Sequence, residues 1–171
     1  LVYLLKINPE NKYITIGVPV LNRKNKREKS TVGMFISTIP LTIDISAGDT
    51  AYELIRRITD THSRLFRHQK YPYSRIVSHV RQKHQFEGSL YDVVVSFQNA
   101  KTDEDIKTRW FSNGYSEIPF SLHIDNRDSA ESYTLNADYQ TEVFPDSEEI
   151  SMLTDRLMLI IDQIIENHNI T

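Results

Sequence analysis

Cysteine is absent from all 171 residues, which excludes disulfides, thiolate catalysis and cysteine-ligated zinc and fits a reducing cytoplasm, the expected location. Glycine is scarce and scattered: Gly17, Gly33, Gly48, Gly88 and Gly114 each stand alone, so no clustered-glycine loop of the kind that cradles phosphates is present. No apolar run approaches the ~20 residues of a membrane-spanning helix, and no signal-peptide pattern is visible at the N-terminus. No membrane partner is expected. The net charge of −3 offers no broad basic surface, so nucleic acid is not expected as a partner either. Among the six histidines, His79 and His84 are five apart, off the one-face spacing of a helix, and no His-Glu-x-x-His occurs. No metal site is expected. A Gly-x-Ser-x-Gly segment is also missing, which argues against serine hydrolysis.

What is present is an ordinary globular composition, 39% hydrophobic and 25% charged. The length suits one domain or one lobe that hides roughly 70% of its unfolded surface. Lys12 to Leu21 is rich in β-branched residues and predicts a strand, with Pro19 asking for an edge position or a bulge. Residues 22–31 follow as a loop in which Arg23, Lys24, Lys26, Arg27 and Lys29 face a single anion, Glu28. Thr31 to Ile45 is nearly continuously apolar and predicts a second strand, buried on both faces in mid-sheet. After the turn and cap of Gly48-Asp49-Thr50, the residues Ala51, Leu54, Ile55, Ile58, His62, Leu65 and Phe66 recur at helical spacing. Pro72 opens another helix with Ile76, Val77 and Val80 as its stripe, and Leu90 to Phe97 predicts a central strand. Ile118 to Ile124 and Tyr133 to Tyr139 alternate like the arms of a hairpin. Asp146 and Glu149 are spaced as a capping box before a helix whose apolar stripe runs through Ile150, Leu153, Leu157, Ile160, Ile161, Ile164 and Ile165. The fold class expected is α+β, a mixed β-sheet with flanking helices. His62 and His123 are expected to be packed histidines, each with one hydrogen bond.

Several segments carry a family resemblance. Thr31 to Leu41 (TVGMFISTIPL) resembles the Gly-x-Phe-(Val/Ile)-Asn-Thr-x-Pro-Leu signature of nonribosomal peptide synthetase condensation domains, and Gly17-Val18-Pro19-Val20-Leu21-Asn22-Arg23 resembles their Gly-x-Pro-x-x-x-Arg segment. His68-Gln69-Lys70-Tyr71-Pro72-Tyr73 is similar to the downstream His-Gln-x-x-Pro-(Phe/Tyr) motif, and Leu90 to Asn99 to the strand ending in Phe-x-Asn. The catalytic His-His-x-x-x-Asp-Gly motif of that family is missing, since no two histidines are adjacent.

The resemblance implies that residues 1–171 are the C-terminal half of a condensation domain, one lobe of a two-lobed, chloramphenicol acetyltransferase-like fold. Such domains join a carrier-bound acyl or peptidyl donor to a carrier-bound aminoacyl acceptor by an amide bond. The parent is then an enzyme, a peptide-bond-forming acyltransferase, while this half, without the histidine lobe, is expected to be inactive alone. It contributes no catalytic residue of its own. By the same resemblance, Arg23 pairs with the aspartate of the histidine motif and, lacking that partner, sits in solvent. Ser37, in the place of the family's asparagine, and Thr38, Gln98 and Asn99 are implied to line the substrate tunnel and touch the pantetheine arm. Residues 22–31 correspond to the floor loop and residues 101–119 to a latch, with Trp110 and Phe111 as its anchors. No cofactor is bound directly; phosphopantetheine arrives on donor and acceptor carrier proteins. The other partners implied are the N-terminal lobe and an adjacent adenylation domain, and the isolated half is expected to expose an apolar face that a dimer would hide. Half of an epimerisation or cyclisation domain, or a nonenzymatic carrier-binding module, remain alternatives.

Overall fold

The computed structural model describes residues 13–46, 48–85, 87–99, 111–127 and 132–170. Five strands, β1 (Tyr13–Val20), β2 (Ser37–Asp44), β3 (Val93–Gln98), β4 (Phe120–Asp125) and β5 (Thr134–Tyr139), form one mixed sheet in the order β2-β1-β3-β4-β5. Among the described residues four helices accompany it: α1 (Lys26–Ser30), α2 (Ala51–Phe66), α3 (Tyr73–His84) and α4 (Ser147–Glu166). The pairs β1–β2 and β4–β5 are antiparallel, and β3 runs parallel to both β1 and β4. An α+β fold with a mixed sheet is what the sequence implied.

The register gives each face its character, because side chains alternate along a strand. Val93 and Val95 on β3, Phe120, Leu122 and Ile124 on β4, and Ala137 and Tyr139 on β5 share a face. On the β4–β5 half of that face, α4 packs Ile150 and Leu157 against Phe120 and Leu122, with Leu153, Ile160 and Phe144 closing the cluster. On the β1–β2 half, Ile14, Val20, Ile39, Leu41 and Ile43 are buried on the same side. The opposite face carries Thr38, Gly17, Ser96, Gln98, Ser121, His123, Asp125, Asn136 and Asp138 and is polar across β3, β4 and β5.

Caps explain the helix limits. Thr50 and Glu53 make a reciprocal capping box at the start of α2, and Asp49 holds Arg57 in a two-pronged ion pair at 2.6 and 2.8 Å. Asp146 caps α4 by accepting from the Glu148 N–H, so the expected box with Glu149 is replaced by a bond one residue earlier. The last turn of the chain is fastened to α2, where Ala51 N–H donates to Ile170 O and Tyr52 N–H to His168 O.

The predicted hairpin and central strand appear as β4–β5 and β3, and both long helices form where the spacing placed them. Three expectations are corrected. Thr31 to Ile45 is not a mid-sheet strand: only Ser37–Asp44 is extended, it lies at the sheet edge, and burial falls on alternate residues, Ile39, Leu41 and Ile43. The threonines and Pro40 between them form the second face, and the chain ahead of the strand is drawn out of the ladder by Arg23, which holds the Thr31 and Gly33 carbonyls. β1 is not an edge strand, yet its register with β3 is confined to Gly17 opposite Val94, so Pro19 lies beyond it and needs no donor there. Ile55, Phe66, Ile161 and Ile165, assigned to helical stripes, are exposed at their margins.

Candidate functional site

Because β1, β3 and β4 run one way and β2 and β5 the other, the ends of the first three and the starts of the other two lie at one end of the sheet. Arg23, Ser37, Thr38, Gln98 and Asn99 all belong to this end. Thr38 and Gln98 share the polar face, whereas Ser37 lies on the opposite one and Asn99 is exposed just past β3. Of the four, only Thr38 and Gln98 are thus placed on one face of the sheet.

Arg23 is where the expectation fails most clearly. Rather than sitting in solvent, its guanidinium donates to Glu28 O and Thr31 O at 2.5 Å each and to Gly33 O at 2.7 Å, and it stacks 4.1 Å from the Phe35 ring centroid. Five fixed N–H donors let arginine bind several carbonyls at once, which lysine cannot do in this geometry. The loop is also fastened from outside. Gln69, 5% exposed, accepts from Asn22 N–H through Oε1 and donates to Phe66 O through Nε2. Lys70 Nζ reaches Asn22 O and Glu28 Oε1 at 2.8 and 2.9 Å, and Glu28 Oε2 accepts from Lys24 N–H. The Lys24 N–H and Lys70 ammonium hold the Glu28 carboxyl down at about 2. The expected open basic loop is thus a short helix, α1, in a cross-tied loop, with Lys24, Lys26, Arg27 and Lys29 still exposed. Beyond it Val32, Met34 and Ile36 point outward, Val32 fully exposed and Met34 91% exposed.

Sequence reasoning missed the role of Gln69 and that of Tyr91. A Cβ on Gly17 would lie 2.6 and 2.8 Å from the Tyr91 ring, so the lone glycine makes room for that ring to cross β1. The Tyr91 ring lies 5.5 Å from that of Tyr73, and burial, then Tyr73, pushes the Tyr91 pKa up to about 12. Thr38, Tyr73 and Tyr91 line a cavity of about 460 Å3 together with Arg81 and Glu117.

His62 is half-buried and rests on Phe66 at 5.6 Å between ring centroids. His123 has more structure around it. Its Nδ1 lies 2.8 Å from Ser96 Oγ and its Nε2 lies 3.6 Å from Asp138 Oδ2. A carboxylate beside Nε2 favours the proton there, leaving Nδ1 to accept from the Ser96 hydroxyl. Burial lowers the His123 pKa against the opposing pull of Asp138. The order Ser-His-Asp resembles a nucleophile relay, but Ser96 sits mid-strand and is 7% exposed, without the sharp turn that presents an attacking serine. Among the described residues no group of three His, Cys, Asp or Glu could hold a metal ion, and no helix is long and apolar enough to cross a membrane. Of the expected latch, Phe111 is 74% exposed; residues 101–110, Trp110 included, lie outside the described residues.

The sequence model of the condensation domain matches residues 1–170. The chain belongs to the condensation domain family. Surfactin synthase subunit 1 of Bacillus subtilis (strain 168) is 29% identical over 167 residues, 95% of this chain and 5% of the synthase. The dimodular nonribosomal peptide synthase of the same organism is 26% identical over 160 residues, 87% of this chain and 7% of that protein. The fold recurs in the condensation domain from monacolin K polyketide synthase, with a TM-score of 0.80 at 17% identity over 98% of this chain and 40% of that one. This condensation-domain chain therefore spans about 40% of that solved chain and a few per cent of the curated synthases.

Proposed function

We propose that the chain is the C-terminal lobe of a nonribosomal peptide synthetase condensation domain, which forms an amide once a lobe carrying His-His-x-x-x-Asp-Gly is docked against it. The observation that supports this best is the loop after β1. Its backbone is locked by Arg23, Gln69 and Lys70, yet it holds Val32, Met34 and Ile36 in solvent. A rigid loop that displays apolar side chains is arranged for a surface that this chain does not itself provide.

In this reading the acceptor amine attacks the donor thioester carbonyl, the carrier thiol leaves, and the amine proton passes to a base of the other lobe. The present lobe supplies walls. Thr38 and Gln98, on one face at the sheet end, contact the phosphopantetheine arms, while Ser37 and Asn99 flank the passage. Arg23 supports the active site by holding residues 22–31 as a floor, and residues 101–119 act as the latch. The cations Lys24, Lys26, Arg27 and Lys29 favour the approach of acidic carrier proteins. An adenylation domain loads the acceptor carrier, and the protein works in the cytoplasm.

Single-turnover condensation with loaded donor and acceptor carriers tests this, comparing the chain alone with the chain joined to a lobe bearing the histidine motif. Amide from the two-lobed protein only is the expected result. Product from the single chain would overturn the assignment of chemistry to the other lobe. No product from either, with carrier binding retained, would move the reading to a nonenzymatic module or an epimerisation half.

A further inference from the structure

Asparagine is followed by glycine at one place in the sequence, Asn113-Gly114, and every other asparagine precedes a residue with a side chain. The pair lies in the irregular segment ahead of β4, where Ser112, Asn113 and Gly114 are all exposed and belong to no helix or strand. Its hydrogen bonds are local. Asn113 Oδ1 accepts from the Tyr115 N–H at 3.0 Å, and Ser112 Oγ accepts from the Gly114 N–H at 3.2 Å. The first bond folds the asparagine side chain back over the peptide that follows it, which brings its Cγ beside the Gly114 nitrogen. Three features of this arrangement favour attack of that nitrogen on Cγ. The Tyr115 N–H polarises the Asn113 side-chain carbonyl and faces the oxyanion that forms as the nitrogen adds. The Ser112 hydroxyl oxygen lies where the proton of the Gly114 nitrogen must depart. Gly114 has no Cβ to obstruct the approach, and its φ of +74° is a backbone setting that glycine holds without strain. Holding the reacting atoms together replaces a search through chain conformers by a single one.

We infer that Asn113 is a self-modifying site, at which the Gly114 backbone nitrogen displaces ammonia from the Asn113 side chain and water then opens the resulting ring. In the first step the bond from Gly114 N to Asn113 Cγ forms, the Asn113 Cγ–Nδ2 bond breaks, and the proton lost by the Gly114 nitrogen leaves with the amide nitrogen as ammonia, giving a succinimide. In the second, a water molecule adds to one of the two ring carbonyls and opens the ring. Opening at the side-chain carbonyl leaves aspartate; opening at the main-chain carbonyl leaves isoaspartate. Water is the one co-reactant. Both products put a carboxylate where the neutral amide was, in the lining of the cavity that also holds Asp138 and Glu142, and isoaspartate adds a carbon to the backbone path. The chemistry is independent of the amide-forming role proposed for the sheet end.

Ageing of the unaltered chain at mildly alkaline pH, folded and in guanidinium chloride, tests this, with peptide mapping by mass spectrometry and enzymatic detection of isoaspartate as readouts. The mass gain of an amide-to-acid exchange is expected at Asn113 before any other asparagine, with isoaspartate among the products and at a rate in the folded chain no lower than in the unfolded one. Gly114→Ala is expected to slow the conversion at least about tenfold, the rate equivalent of one steric contact in the ring-closing step. Slower conversion in the folded chain, first modification at a different asparagine, or aspartate formed without isoaspartate would each overturn the inference. The comparison of folded with unfolded chain needs no variant, so a Gly114→Ala protein that failed to fold would leave the question decided.

Discussion

Gly17 shows how much a missing side chain can decide. It needs no left-handed backbone; what it provides is space, filled by the Tyr91 ring and by Val94 Cγ2, which would stand 2.8 Å from an added Cβ. The same ring lines a cavity with Thr38, so the glycine of the Gly-x-Pro segment and the threonine of the next motif lie beside a tyrosine that neither motif mentions. Gly17→Ala is therefore expected to destabilise by about 1–3 kcal/mol, the usual cost of overpacking a close contact. Urea denaturation monitored by circular dichroism checks it. An unchanged midpoint would mean that the ring has somewhere else to go. Pairings of this kind are invisible in sequence because Tyr91 and Gly17 lie far apart along the chain and neither periodicity nor turn chemistry links them.

At the scale of elements, the loop from Asn22 to Ile36 is built from side chains that return to its own backbone. Glu28 is the member whose state can be changed without mutation. Its carboxyl is held at about 2, below its ordinary value of 4.5, by the Lys24 N–H and by Lys70. A depressed folded-state pKa contributes stability that is fully present above about 4.5 and is lost as pH falls toward about 2. The protection of amides 24–31, measured as observed exchange relative to the intrinsic rate at each pH, is expected to fall across that window, and Glu28→Gln is expected to remove the pH step while leaving protection lower throughout. Protection that is flat with pH would show that the carboxylate is not what orders the loop. The two long helices and the β4–β5 hairpin were legible in the sequence because their periods are local properties of consecutive residues. The loop was not: a run of five cations reads as solvated charge, and only the fold brings Gln69 and Lys70 to it. The same limit hid the edge position of β2. Threonine and proline between apolar residues look like a buried run until strand order shows that one face is open. Of the four residues that the resemblance assigns to a tunnel, Thr38 and Gln98 share a face and Ser37 does not, a fact of register that motif matching cannot supply.

For the whole molecule the decisive quantity is where apolar side chains end up. Among the described residues 11 hydrophobic side chains are buried while 20 large ones are exposed, and several of the latter gather on the loop beside the sheet end: Leu21, Val32, Met34 and Ile36. Scattered exposure is ordinary for a folded chain, but a fully exposed valine two residues from a 91% exposed methionine, on a backbone tied by Arg23, is not needed for stability here. Those side chains make no contribution to the core of this chain, so replacing them separates folding from docking. The double change Val32→Lys and Met34→Lys is expected to leave the thermal midpoint of the chain within the range of ordinary surface substitutions, about ±0.5 kcal/mol. Joined to a lobe that carries the histidine motif, the same variant is expected to lose amide formation, because two lysines would have to be desolvated where two apolar groups were meant to be covered. Differential scanning calorimetry of the single chain and single-turnover assay of the two-lobed protein read the two effects apart. A lowered midpoint would place Val32 and Met34 in the core after all, and full activity would mean that the loop faces water in the assembled domain as well.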